Sequence, residues 1–452
     1  MRRRCACEIL LHNLRVSIVR WVRYSHGVSM HLRAHKVRLI APTKVATYFL
    51  RCAGTARFAY NWALNHSAAF YREHGKTISD FDLKKAWNAH RKATLPWSYE
   101  VTKHASDSGV LNFCAARSNL FESIKKCKTG GKGHFRKPHL KSKHRSKKSF
   151  AIYGVDFRAE GYILTIPKLG PVKMTESVRF PGKIKFVTIS EQGGHWFASF
   201  QIELSEDYVY PHRCETQATV GVDVGLHTHL TLSTGEKKAN PKLYRRFERK
   251  LKKAQRALSR KQKGSKNRAK AKANLSKLNA ALSGLRADHL HQMTTLIVKQ
   301  YRFIGVEDLS VANMLKNHSL ARAISDASFG EILRQLRYKT EWAGGYLAIA
   351  NRFFPSSKLC SVCSYKNEEL VLSNREWICP QCGTCHDRDV NAAQNLETVA
   401  CGLRETINAC VTNSPLEGKD WRSQRKPRGM KPVSSGEDSG MAEAVFRESE
   451  GL

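Results

Sequence analysis

Four cysteines in two CxxC pairs lie just upstream of an aspartate. Cys360 and Cys363 (LCSVCS) form the first pair and Cys379 and Cys382 (ICPQCG) the second, with fifteen residues between them. Each CxxC bends the backbone so that both sulfurs face one ion, and four thiolates at this spacing close a tetrahedral zinc site. One structural zinc on Cys360, Cys363, Cys379 and Cys382 is therefore expected, with Cys385 close enough to the second pair to compete as a ligand. The other eight cysteines receive no ligand role. An odd total of thirteen in a large basic chain fits a reducing interior better than a disulfide framework.

Three carboxylates carry the second chemistry. Asp223 (GVDVG) and Glu307 (GVEDL) close apolar, strand-like runs, and Asp389 (HDRDVNAAQNL) opens a helix-like run seven residues after Cys382. Open α/β sheets place ligands at the C-terminal ends of their strands, and a helix N-terminus favours an ionised carboxylate. A carboxylate in an apolar strand is costly without a partner such as a metal. Glu307 has an alternative role, capping the helix that EDLS would begin. Asp387 competes with Asp389, which is preferred because it starts the apolar helix. Brought together, three carboxylates suit two Mg²⁺ ions roughly 3.5–4 Å apart, one activating water and the other stabilising the leaving oxygen of a phosphodiester. A thiolate ribbon beside such an acidic site suggests a nuclease.

The charge balance agrees. The 452 residues hold 77 Lys plus Arg against 38 Asp plus Glu, a formal net charge of +39. That excess argues against a small-molecule substrate and for a polyanion bound through phosphate neutralisation and counterion release. No run of about 18 apolar residues is present to span a bilayer, so no membrane partner is expected.

Elements able to position these groups can be read along the chain. Residues 1–29 read as a disordered N-terminal extension without a signal-peptide core, 30–42 as a first strand, and 43–127 as mostly helical, with Thr43 as a helix cap. Trp62, Trp87 and Trp97 read as core or semi-buried packing rather than base-stacking platforms. Residues 128–149 are a solvated basic loop, within which Lys132, Arg136, Lys137, Lys141 and Lys143 are candidate phosphate contacts. Strands follow to about residue 210, with EQGG joining two as a hairpin, and the 32–40 strand completes a small barrel or sheet across the helical insertion. A second domain begins near Ala218. Residues 242–277 hold sixteen Lys or Arg and one acid, Glu248, on long helices with a narrow leucine seam. YLAIANRFF is a strand feeding the ribbon, and 413–452 is a disordered tail.

Together these residues resemble the TnpB family of transposon-encoded proteins, which is related to type V CRISPR effectors. The resemblance spans about His31 to Leu403 and rests on GVDVG, GVEDL, SSKLCSVC, CPQCG and DRDVNAAQN, supported by ARFAYNWAL and GHFRKPHLKSK. It implies an α/β multidomain chain: an RNase H-like (RuvC) nuclease domain over 216–412 with a zinc ribbon inserted at 356–386. Before it would lie a wedge β-barrel (30–42 and 128–215, including the basic loop) interrupted by a helical recognition domain (43–127). It also implies a cytoplasmic, nucleoid-associated endonuclease of a bacterium or archaeon. A guide RNA from the transposon end would direct it to double-stranded DNA, and Asp223, Glu307 and Asp389 would bind catalytic Mg²⁺. The basic helices and loop would then line a channel for an RNA–DNA duplex. The chain departs from the family at Ser364, where Gly is usual after the first CxxC, and in its N-terminal extension. A guide-dependent DNA-binding regulator that cuts nothing and a strand-joining transposase are the competing readings.

Overall fold

The computed structural model describes residues 32–130, 136–154, 156–205, 208, 217–371 and 373–412. The expected extension, the tail and Lys132 lie outside the described residues. The chain divides into two compact units, with the boundary in sequence between residues 207 and 208.

The first unit opens with strand β1 (Leu32–Leu39), followed by helices α1 (Thr43–His74), α2 (Asp80–Thr94) and α3 (Lys103–Lys128). Strands β2 (Ser149–Tyr153), β3 (Arg158–Glu160), β4 (Ile163–Ile166), β5 (Gly170–Lys173), β6 (Lys183–Gln192) and β7 (His195–Glu203) complete it. The order β1-β7-β6-β2 makes a four-stranded antiparallel sheet, and β3-β4-β5 makes a second sheet. β1 pairs along its whole length with β7, Leu32 opposite Glu203 and Leu39 opposite Trp196, so the helices are an excursion between neighbouring strands. Its buried residues alternate, His35, Val37 and Leu39, as a half-buried strand requires. α1 and α3 approach so closely that a Cβ on Gly109 would lie 2.2 Å from the Ala56 carbonyl oxygen.

Several expectations need correction here. Thr43 is not the cap: Pro42 holds that position, and no side chain caps the helix. Trp87 is fully buried, but Trp97 is 43 % exposed beside the exposed Phe58. The strand expected over YLAIANRFF stops at Ala350, because Asn351 turns the chain by accepting the Phe353 N–H on its side chain.

The second unit holds β8 (Thr219–Asp223), β9 (Thr228–Leu232), β10 (Lys237–Ala239), α4 (Leu243–Ser259), α5 (Lys266–Gln300) and β11 (Phe303–Glu307). Then come α6 (Val311–Met314), α7 (Ala321–Ala327), α8 (Phe329–Trp342), β12 (Tyr346–Ala350), β13 (Glu376–Ile378), β14 (Cys385–Asp387) and α9 (Arg388–Thr412). The sheet order is β10-β9-β8-β11-β12. β8, β11 and β12 run parallel, while β9 and β10 add an antiparallel edge. On one face Val220, Val222, Ile304 and Val306 join Met293 and Ile297 of α5 and Ile332 and Leu336 of α8 in a single core. The other face receives α9, where Ala400 and its neighbours cover Phe303 and Ala348.

Candidate active site and metal centre

Parallel pairing in register places Val306 beside Val222. The next residues, Glu307 and Asp223, therefore leave adjacent strands at the same end of the sheet. Side chains alternate along a strand, so each acid shares a face with the glycine two residues before it. Gly221 and Gly305 are bare because α9 lies directly on them. A Cβ on Gly221 would meet the Ala393 carbonyl oxygen at 1.8 Å, and one on Gly305 would meet that of Leu396 at 2.0 Å. Asp389 is one helical turn before Ala393, on the same helix face. The two glycines thus let α9 carry its first-turn acid over the two strand acids.

The electrostatics record the convergence. Burial, then the Glu307 and Asp389 carboxylates, push Asp223 up to about 7. Glu307 accepts a hydrogen bond from the Ser356 hydroxyl. Asp389 faces the Arg375 guanidinium at 3.3 Å. In a chain of net charge +39 these three acids act on one another with partial compensation, although their ligand atoms are not gathered within 4.8 Å as the thiols are, and hard oxygen donors under mutual repulsion suit divalent cations such as Mg²⁺.

Asp387 has a different task. Its carboxylate accepts the N–H groups of Asp389 and Val390 at the start of α9 and pairs with Lys237 at 2.6 Å. Burial opposes ionisation there, but the Lys237 ammonium and those N–H groups prevail and hold the carboxyl below the usual range.

The thiols meet at the tip of the same unit. The sulfurs of Cys360, Cys363, Cys379 and Cys382 all lie within 4.8 Å of one another, and among the described residues they are the one group of His, Cys, Asp and Glu ligand atoms gathered this tightly. Cys385 is exposed and does not join them. The two knuckles repeat one geometry. Ser364 N–H donates to the Cys360 carbonyl and Gly383 N–H to that of Cys379, both at 2.9 Å. Ser364 and Gly383 are both left-handed, at φ 65° and 71°. Glycine adopts that conformation without penalty and serine does not, so the departure at Ser364 is a strained knuckle rather than a lost one. The Thr384 hydroxyl and N–H lower Cys382 to about 6.

Three further features escaped the sequence reading. Asn391 and Asn395 of α9 donate to the Leu359 carbonyl, and Asn395 also to that of Ser356. These bonds tie the first knuckle to the helix that carries Asp389. His386 is buried, with Nε2 at 3.0 Å from the Cys360 sulfur. Ser356 orients Glu307. The one sequence feature shared by both seats is the glycine two residues before each strand acid in GVDVG and GVEDL.

The basic-loop candidates divide. Arg136, Lys137 and Lys143 are exposed. Lys141 is engaged within its own unit, its ammonium 3.5 Å from the Tyr60 ring centre and its backbone held by the Asn61 side chain. Burial lowers its pKa. No helix among the described residues is long and apolar enough to cross a membrane.

Residues 185–318 match a family model described as "Probable transposase", 329–396 the Cas12f1-like TNB domain, and 30–76 a helix-turn-helix domain. Within 30–76 the described structure is one strand and one helix. The chain is 37 % identical over 384 residues to a "Putative RNA-guided DNA endonuclease" of Streptomyces pristinaespiralis, covering 84 % of this chain and 90 % of that one. It is 30 % identical over 416 residues to InsQ of Escherichia coli K12, which bears the same description, covering 85 % and 98 %. Among solved structures it is similar to CasPhi-2 (Cas12j) bound to crRNA, at TM-score 0.41 and 10 % identity over 82 % of this chain and 98 % of that one. The chain belongs to the TnpB family of transposon-encoded proteins.

Proposed function

We propose that this chain, like the activity its relatives are named for, is an RNA-guided DNA endonuclease, and that it hydrolyses phosphodiesters at Asp223, Glu307 and Asp389. The observation that carries the assignment of the site is the seating of α9 on Gly221 and Gly305, which brings acids from two strands and a helix to one end of the sheet. The strand order, with three parallel strands and an antiparallel edge, supports an RNase H-like (RuvC) reading of the second unit. The pairing of β1 with β7 across three helices supports a wedge barrel interrupted by a recognition domain.

Asp223, Glu307 and Asp389 would hold the Mg²⁺ ions, and Cys360, Cys363, Cys379 and Cys382 one zinc. Bound Mg²⁺ supplies an activated water and charge stabilisation at the leaving oxygen. The protein's own part is to fix the carboxylates: Ser356 holds Glu307 and Arg375 holds Asp389. A guide RNA from the transposon end would supply sequence choice by base pairing to double-stranded DNA. Arg136, Lys137, Lys143 and the cationic faces of α4 and α5 would neutralise backbone phosphates.

The test is to incubate the ribonucleoprotein with a target plasmid and Mg²⁺. The wild type should cut, and Asp223→Ala should bind the target and leave it whole. A wild type that binds without cutting would favour the regulator, and joined strands would favour a transposase.

A further inference from the structure

Phe353 is 88 % exposed, the most exposed large apolar side chain among the described residues. Scattered apolar side chains on a surface need no explanation, so the question is whether this one is placed. Two independent connections fix it beside Glu307. Ala350, three residues earlier, is the β12 partner of Glu307. Ser356, three residues later, donates its hydroxyl to the Glu307 carboxylate. The loop therefore leaves Glu307 and returns to it, and three residues reach at most about 11 Å.

The loop is also braced against collapse. Asn351 accepts the Phe353 N–H on its side chain at 3.0 Å and the Phe354 N–H on its carbonyl at 2.9 Å. Ser356 N–H donates to the Phe354 carbonyl at 2.9 Å, and Arg352 is pinned to Asp308 at 2.9 Å. The turn holds Phe354 half-buried and its neighbour out in solvent. A flat apolar ring held exposed on a short loop anchored at both ends to Glu307 matches a flat, uncharged partner, while the acids themselves repel an anion that lacks cations.

We propose that Phe353 is a stacking platform for a nucleobase of the strand being cut, setting the register of the scissile phosphate over Asp223, Glu307 and Asp389. The proposal rests on the nuclease reading of that site. Aromatic stacking tolerates any base, because every base has a π-face. The platform thus positions the strand and leaves sequence choice to the guide.

The probe is a short single-stranded DNA carrying 2-aminopurine at successive positions, mixed with the full chain and its copurifying RNA. An Asp223→Asn background keeps the probe intact, so this readout does not depend on cleavage. One position should be quenched on binding. Phe353→Ala and Phe353→Leu should abolish that quenching and weaken binding about tenfold, a typical loss for one stacked base. Phe353→Trp should restore both, and the exposed position should leave the melting temperature of all three unchanged. With Asp223 intact, Phe353→Ala should raise KM and blur the cut position. Quenching that survives Phe353→Ala, or Phe353→Leu behaving as wild type, would overturn the platform. A wild type that quenches the probe and cuts nothing would instead overturn the nuclease reading alone.

Discussion

The four thiols and the three carboxylates sit in one unit and are assembled by opposite means. The thiols span 23 residues, from Cys360 to Cys382, and two local knuckles bring them together. The carboxylates span 167 residues, from Asp223 to Asp389, and meet only because two parallel strands are in register and a helix lies on bare glycine backbone. A zinc ion bound by the four thiols would hold that cluster together, so that its folding and its ligand would be one equilibrium. The acid cluster is held by an apolar core, and the fold forces its charges together against their preference. A metal site built from local spacing can be read from a motif, whereas one built from topology works only while the backbone beneath it stays thin.

The strongest way to break the contrast is at that backbone. Gly305→Ala places a Cβ 2.0 Å from the Leu396 carbonyl oxygen, and no side-chain rotation relieves a clash with backbone. We expect a loss of about 3 kcal/mol in stability, the upper end for overpacking, and cleavage below detection. Zinc content should stay at about one per chain, measured by metal analysis beside a thermal melt. Retained cleavage would mean that α9 does not position the acids.

The reciprocal change is Cys379→Ser. Zinc should be lost and the ribbon should unfold, while the five-stranded sheet keeps its hydrogen-exchange protection. Cleavage should still fall, because Ser356 and the Asn391 and Asn395 clamps link the first knuckle to Glu307 and α9. Full activity without zinc would separate the two sites.

A smaller effect sharpens the electrostatic half. Asp223 at about 7 lies above its unfolded value near 3.9. The metal-free folded state therefore prefers the neutral carboxyl. Its ionisation costs no stability at pH 4, an increasing amount as pH rises toward 7, and a constant amount above. Asp223→Asn should raise the melting temperature of the metal-free chain by several degrees at pH 8 and by nothing measurable at pH 4. Equal shifts at both pH values would show that neither burial of the Asp223 carboxylate nor the neighbouring acids is the cause. The smallest effect belongs to the thiol half. Ser364→Gly relieves a left-handed serine at φ 65° and should stabilise the zinc-bound ribbon by about 1 kcal/mol, read as slower zinc loss to a chelator.

The same contrast explains what was legible beforehand. The thiols were fixed by spacing, and Asp223 and Glu307 by the apolar runs that end in them. Asp389 was preferred over Asp387 as the opener of an apolar helix, and Asp387 proves to be the cap and the partner of Lys237. The meaning of Gly221 and Gly305 was hidden, because a bare glycine in a strand gains its reason only from a helix nearly ninety residues or more downstream. The engagement of Lys141 was hidden for a similar cause: Asn61, which holds its backbone, lies 80 residues away, and nothing in a basic run marks a lysine that packs on its own unit. Trp97 was expected in core or semi-buried packing, and it lies 43 % exposed with its ring against Phe58.

The central claim is that Asp223, Glu307 and Asp389 bind divalent cations as a set. Crystals of the full chain soaked in Mn²⁺ and measured at the manganese edge test it directly. Anomalous peaks are expected beside Asp223, Glu307 and Asp389, and they should be lost in Asp223→Asn. Well-ordered carboxylates with no peak between them, or manganese bound only at Asp387, would contradict it.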